Sequence, residues 1–336
     1  MKNCLSAPIY VGIDLTEKCN LRCIHCRVGT SKNKQKQLTL EEFKGIIDEL
    51  SKMKIIQIIL SGGEPFIHKN IYEIIFYAIN SKIPDVSLVT NGTLLNDKII
   101  KKVKKIGLKK ISLSLDGLKK NHDKIRGKGN YQKTILAVSK LIKENFEVKI
   151  SITINKINKN DLIPLGKRLF NLGVKRINVG NLMPCGRGRD IWFQTLNKKE
   201  KLALKSQVNE INKKKKRNFI LFENSFLEEP KLDKDDRKIE FYLGCRGGRT
   251  SCAILSNGNV VACKMLPNII AGNIKEKKFE KIWKKDENWK LWRENKLPLK
   301  CKQCKYGLAC RGGCKAVSYA KYGRLDLPDP RCIGPF

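Results

Sequence analysis

The sequence predicts an α/β fold, an open partial (β/α)6 barrel over residues 1–190 that leads through a bridging region (191–243) into a small cysteine-rich domain (244–336). Three observations carry this. From residue 9 to about 180, short apolar runs alternate with amphipathic helical stretches, the pattern of a parallel sheet with helices outside it. Six such units fall short of the eight that close a full barrel. From Cys245 onward the chain becomes rich in cysteine and glycine and poor in periodic segments, the composition of a unit held by metal rather than by a large core.

The strands are read from IYVGIDL (9–15), IIQIIL (55–60), VSLVT (86–90), KISLSL (110–115), VKISITI (148–154) and VKRINVG (174–180). Helices are expected at about 39–53, 69–81, 96–106, 131–145 and 160–172, the first opening with a Thr39-x-x-Glu42 capping box. In such a fold the loops after the strand C-termini carry the chemistry. TEKCNLRCIHC follows strand one and SGGEP follows strand two, in agreement. The bridging region holds a further helix near 197–213 and an acidic stretch, LEEPKLDKDD.

The 336 residues carry 69 Lys+Arg against 32 Asp+Glu, a formal charge of +37. A basic surface rewards phosphate binding through counterion release, but no nucleic-acid-binding motif accompanies the scattered lysines, so no specific nucleic-acid partner is expected. An acidic substrate or partner fits equally. No apolar run has the length of a membrane span, and the N-terminus lacks a signal-peptide pattern, so a cytoplasmic location is expected. Thiols stay reduced there, and 13 cysteines then point to metal or redox chemistry.

Cys19, Cys23 and Cys26 are spaced C-x3-C-x2-C. Four thiolates close a structural zinc site, whereas three on a [4Fe–4S] cubane leave one iron open; a zinc or ferredoxin-type site with its fourth ligand elsewhere is the alternative. The loop, placed just after a first strand, resembles the signature of the radical S-adenosylmethionine (SAM) superfamily. GGEP (Gly62, Gly63, Glu64, Pro65) resembles that family's element for the SAM amino group, with Glu64 able to accept from an ammonium. TNG (Thr90, Asn91) and SLDG (from Ser114) match later strand-end elements, and Arg126 stands where relatives direct an arginine at the SAM carboxylate. His25 takes the place of an aromatic residue whose backbone approaches the adenine. The resemblance implies SAM and a SAM-binding cluster as cofactors, and reductive cleavage to a 5′-deoxyadenosyl radical that abstracts a substrate hydrogen.

Cys245-x12-Gly258-x4-Cys263, Cys301-x2-Cys304-x5-Cys310-x3-Cys314 and a distant Cys332 resemble the seven-cysteine SPASM pattern. The resemblance implies two auxiliary [4Fe–4S] clusters, one on Cys245, Cys252, Cys263 and Cys314 and one on Cys301, Cys304, Cys310 and Cys332; paired zinc knots are the alternative. Cys4 and Cys185 stay outside these sets, both read as inert thiols.

SPASM relatives mostly modify peptides. PCGRGRDIW (184–192), CRGGCKAVSYAKYG (310–323) and LPDPRC (327–332) look most like the pyrroloquinoline-quinone and mycofactocin maturases, which act on short precursor peptides by carbon–carbon bond formation or oxidative decarboxylation. Similar elements occur in enzymes that decarboxylate haem precursors, the second possibility; an iron–sulfur electron carrier or nucleic-acid binder is a third. Sulfatase maturases have an Asp after the cysteine matched here by Cys263, where this chain has Lys264, so formylglycine formation is disfavoured. Only eighteen residues precede Cys19. The expected partners are therefore a peptide substrate, a separate leader-peptide-binding protein, and a low-potential electron donor such as flavodoxin or ferredoxin. Asp116, Asp190 and Arg187 are polar candidates for the substrate cavity; the plainer readings are a strand-end turn residue for Asp116, and Arg187 and Asp190 paired with each other or with solvent. Trp283, Trp289 and Trp292 are read as one helical face in the core, and no catalytic base is assigned.

Overall fold

The computed structural model describes residues 4–28, 37–222, 244–294, 296–332 and 334, so the acidic stretch lies outside the described residues. Six strands stand where the apolar runs predict them: β1 (Tyr10–Asp14), β2 (Gln57–Ser61), β3 (Asp85–Thr90), β4 (Lys110–Ser114), β5 (Glu147–Ile154) and β6 (Arg176–Asn181). Four more, too short to show a period, are β7 (Ile220–Phe222), β8 (Ser251–Ile254), β9 (Asn259–Val261) and β10 (Ile270–Asn273). All ten form one sheet in the order β10-β9-β8-β1-β2-β3-β4-β5-β6-β7. Every pair from β8 to β7 is parallel, while β8, β9 and β10 meander antiparallel. The end strands β7 and β10 do not pair with each other, so the barrel stays open.

The crossovers are α1 (Leu40–Lys52), α2 (Ile71–Ile79), α3 (Asp97–Ile106), α4 (Lys119–Arg126), α5 (Asn130–Lys143) and α6 (Leu162–Asn171). α7 (Lys198–Lys214) precedes β7. The capping box forms: the Thr39 hydroxyl accepts from the Glu42 N–H at 3.2 Å, and the Glu42 carboxylate accepts from the Thr39 N–H at 2.7 Å, a device contributing about 1 kcal/mol. α4, which ends on Arg126, is the crossover the periodicity misses; its eight residues are mostly polar and only His122 and Ile125 are buried.

The C-terminal part adds the short helices α8 (Phe279–Lys284), α9 (Lys290–Arg293), α10 (Leu299–Lys302), α11 (Gly307–Cys310) and α12 (Lys315–Tyr322). Its expected lack of a large core is not what the structure shows. Ile254, Val260, Phe279, Ile282, Trp283, Trp289 and Trp292 belong to the same apolar cluster as Val11, Ile13 and Ile58 of the barrel. Each such side chain, fully withdrawn from water, contributes about 1.5–3 kcal/mol. The three tryptophans are core, as expected, yet they sit on three consecutive segments, α8, a 3-10 turn at Asp286–Trp289 and α9, rather than on one helical face.

Candidate active site at the C-terminal ends of the strands

The three-cysteine loop leaves β1 and is fixed by donors from distant elements. Ile24 N–H donates to the Ile125 carbonyl at 3.0 Å, Arg187 Nε to the Cys23 carbonyl at 2.8 Å, and Arg187 N–H to the Cys26 carbonyl at 2.9 Å. Asn91 Nδ2 and Arg126 Nη1 each approach a thiol, of Cys19 and Cys23, at 3.8 Å. The turn after β2 packs directly on this loop: Gly63 N–H donates to Thr16 O at 2.6 Å and Glu64 N–H to Lys18 O at 2.8 Å. A Cβ on Gly63 would stand 2.2 Å from the Lys18 carbonyl oxygen, so only glycine allows the approach.

Glu64 is fully buried and its carboxylate is taken by the chain itself, accepting from Thr90 Oγ1 at 2.7 Å, Asn91 N–H at 2.9 Å and Phe66 N–H at 3.2 Å. Burial pushes its carboxyl above the ordinary range despite these donors. It clamps the end of β3 to the end of β2 rather than standing open to an ammonium. Gly62 and the buried Pro65 flank it, Thr90 ends β3, and the half-buried Ser114 ends β4.

Asp116, expected to be a turn residue, is instead the centre of the site. It is fully buried; Oδ2 takes Arg126 Nε at 2.5 Å and His25 Nε2 at 3.0 Å, and Oδ1 takes the Thr153 N–H at 2.7 Å. Burial alone would raise its carboxyl, but Arg126 and His25 outweigh that and hold it well below the usual range. Asp116 thereby aims Arg126 and the three-cysteine loop at each other. Two buried nitrogens beside that loop, His25 Nδ1 and Arg187 Nη1, have no protein partner, and buried polar atoms demand one. A polar ligand lying against the loop, as the expected SAM would, meets that demand. Arg187 itself bonds the cysteine loop and not Asp190, which is exposed; the expected pair is absent among the described ion pairs.

A second buried carboxylate had drawn no notice in the sequence. Asp14, ending β1, accepts from Arg27 Nη2 at 3.1 and 3.0 Å, from Lys264 Nζ at 2.6 Å and from Ser61 Oγ at 2.7 Å. Burial opposes its ionisation, but Arg27 and Lys264 prevail and keep the carboxyl far below its ordinary value. Arg27 directly follows Cys26, and Lys264 directly follows Cys263. The two cysteine loops therefore meet over one carboxylate. Their position after ligand cysteines was the available signal.

Of the C-terminal cysteines, Cys263 lies within electrostatic reach of Cys245 and Cys314, and Cys310 within reach of Cys332, Cys301 and Cys304. Burial pushes the Cys263 and Cys310 thiols up to about 12. Cys252 does not join them. In β8 it is in register with Val11, while its neighbour Ala253 is in register with Gly12, whose open face receives Lys264. Partners in register share a face and neighbours alternate, so Cys252 points with Val11 into the helix-covered core, with Arg293 as the charge acting on it. The expectation that Cys252 is the fourth ligand of the first auxiliary cluster is corrected: three thiols, Cys245, Cys263 and Cys314, fit that cluster. Cys185, pushed up to about 11 by burial, lies between the two regions, its Sγ 3.2 Å from Met265 Sδ. Among the described residues no three such side chains converge on a single-ion position.

Comparison with known proteins agrees with this geometry. The Radical SAM superfamily profile matches residues 13–180, and that of the SPASM iron–sulfur cluster-binding domain matches residues 245–305. The chain is 32% identical to an AdoMet-dependent heme synthase of Methanosarcina barkeri, covering 98% of this chain and 97% of the relative. It is 30% identical to the mycofactocin maturase MftC of Mycolicibacterium smegmatis, covering 98% and 83%. Streptococcus suis SuiB bound to its precursor peptide SuiA superposes with a TM-score of 0.83 at 19% identity, over 99% of this chain and 77% of SuiB. Matched along nearly its whole length, and with its cysteine loop held where the strand ends converge, the chain belongs to the radical SAM superfamily as an enzyme with a SPASM extension, using S-adenosylmethionine and iron–sulfur clusters.

Proposed function

We propose that this enzyme oxidatively modifies a peptide, in the manner of ribosomal-peptide maturases that form a carbon–carbon crosslink or decarboxylate a terminus. Cys19, Cys23 and Cys26 would hold the SAM-binding cluster, Cys245, Cys263 and Cys314 the first auxiliary cluster, and Cys301, Cys304, Cys310 and Cys332 the second. The SAM-bound cluster supplies a 5′-deoxyadenosyl radical that removes a substrate hydrogen atom. The chain's own part is placement. Asp116 orients Arg126 and His25 toward the SAM side, and Glu64 ties the ends of β2 and β3 beneath it.

The observation that supports an oxidation is the Asp14 junction: it brings the loop of Cys263 against the loop of Cys26, and a cluster held by Cys263 and its partners would supply the electron acceptor there. The mycofactocin maturases supply the peptide. The chain division at 190 and 243, a cytoplasmic location, a leader-peptide-binding protein and a low-potential electron donor belong to the same reading; no helix among the described residues is long and apolar enough to cross a membrane.

The test is anaerobic reconstitution followed by SAM, a low-potential reductant and candidate peptides. Three clusters bring about twelve irons per chain, and 5′-deoxyadenosine appears only with the N-terminal thiols intact. A Cys19/Cys23/Cys26 triple alanine variant that still makes it above background would defeat the assignment. The heme synthase similarity supports a second reading, decarboxylation of a tetrapyrrole side chain. Mass spectrometry of parallel incubations with an iron porphyrin and with peptides separates the two.

A further inference from the structure

The formal charge of +37 has no part in the chemistry just described. Its distribution suggests one. From Lys296 to Leu325 the sequence carries Lys296, Lys300, Lys302, Lys305, Arg311, Lys315, Lys321 and Arg324, and no Asp or Glu. Other cations meet acids, as in Lys104–Glu144, Lys140–Asp97 and Lys159–Glu200 and, at the two ends of this run, Lys296–Glu294 and Arg324–Asp326. Lys300 and Lys302 make no ion pair with any described residue. Together with Lys305 they are exposed on the touching helices α10 and α11 and the turn between them.

Two leucines share that face. Leu299 is 84% exposed and Leu308 64%, although Leu299 directly precedes Lys300 and Leu308 lies two residues before Cys310. On the same two helices and the turn between them, Cys301 is buried while Cys304 and Cys310 are half-buried, so these thiols lie close to the surface. Exposed apolar residues ringed by exposed cations next to the cysteines of a redox centre match the make-up of a small, transient interface whose encounter is electrostatically steered.

We propose that the face formed by Leu299, Lys300, Lys302, Lys305 and Leu308 is the docking surface for an acidic one-electron carrier protein of the flavodoxin or ferredoxin class, which exchanges electrons with the second auxiliary cluster. The proposal rests on the function above, because it requires that cluster at Cys301, Cys304, Cys310 and Cys332. Electrons balance: SAM cleavage takes up one electron, oxidation of the substrate radical returns one with loss of a proton, and the carrier supplies the first or removes the last. The competing entry is the Cys19 loop, where Cys19, Lys18 and Arg22 are exposed, but there Glu17 stands beside them and Leu21 is half-buried.

The experiment compares reduced flavodoxin with dithionite as electron source for 5′-deoxyadenosine formation by the reconstituted full chain. Lys300→Glu/Lys302→Glu/Lys305→Glu is expected to lower kcat/KM for flavodoxin about tenfold and to flatten its decline with ionic strength, leaving the dithionite-driven rate and the iron content unchanged. Leu308→Asp is expected to weaken flavodoxin binding in a titration, and the triple Arg variant to keep it. Should the triple reversal lose iron, Lys302→Glu and Leu308→Asp carry the comparison alone. Unaltered flavodoxin kinetics in these variants overturn the proposal. So does a loss found instead in Lys18→Glu/Arg22→Glu, or a reversal that abolishes salt-sensitive binding of duplex DNA while flavodoxin still reacts. Failure of the function itself reads differently: the unaltered chain then lacks the second cluster or makes no deoxyadenosine with dithionite.

Discussion

Asp116 and Asp14 are both buried carboxylates at strand ends, each held well below the usual carboxylate range by two basic side chains, yet they do different things. Asp116 joins Arg126 to His25 of the three-cysteine loop and takes the Thr153 N–H of β5. Asp14 binds partners from two loops, Arg27 after Cys26 and Lys264 after Cys263. The same chemical device builds a binding site at the end of β4 and a junction between cysteine regions at the end of β1. Sequence distance makes the difference. Arg126 is ten residues from Asp116, whereas Lys264 is 250 residues from Asp14.

The comparison breaks most readily at Asp116. Asp116→Ala leaves the largely buried Arg126 guanidinium without its carboxylate, costing about 3–5 kcal/mol of stability, and misplaces the SAM side enough to lower deoxyadenosine formation about 100-fold. Urea unfolding and a SAM-cleavage assay read the two effects. Asp14→Ala should cost a similar stability, but SAM cleavage should stay within about threefold while product per deoxyadenosine falls about tenfold, as the first auxiliary loop loses its hold. Equal losses of cleavage in both variants would erase the distinction.

A smaller effect is confined to the Asp116 side. His122 Nδ1 accepts the Asp116 N–H at 3.1 Å, and burial, aided by Arg126, pushes this imidazole down to about 4. The unfolded chain, with its imidazole near the ordinary 6.5, takes up the proton first as the pH falls. The stability due to neutral His122 is thus whole above 6.5 and is lost progressively toward pH 4, with about 2 kcal/mol gone between pH 7 and 5. His122→Leu should flatten that slope in urea midpoints, and Asp14 variants should leave it alone. The smallest effect concerns Cys252. Cys252→Val should keep all the iron and change stability by less than about 1.5 kcal/mol, while Cys263→Val loses about four irons per chain.

Much of this was legible in the residues. Strands β1 to β6 announced themselves by apolar runs of five to eight residues, and α1 by its capping box. The order of C-x3-C-x2-C, GGEP and TNG along those strands pointed to the site. What stayed hidden had physical causes. Three- and four-residue strands show no period, so β8 went unseen, and with it the parity that turns Cys252 away from the other cysteines. A lone Asp after a strand resembles any turn residue until its partners are placed, which is why Asp116 was misjudged. Arg187, expected to pair with Asp190 or with solvent, is held by the backbone carbonyl of Cys23, while Asp190 is left exposed to solvent.

Gly12, in the middle of β1, shows what an absent atom can decide. A Cβ there would stand 2.8 Å from Lys264 Cε, so the strand leaves a doorway for a side chain arriving from the far end of the chain. Alanine at this position would suit β1 as well as glycine does, but the tip of Lys264 would have to shift to make room for it. The passage that joins the two ends of the chain at Asp14 is thus open because one strand residue has no side chain.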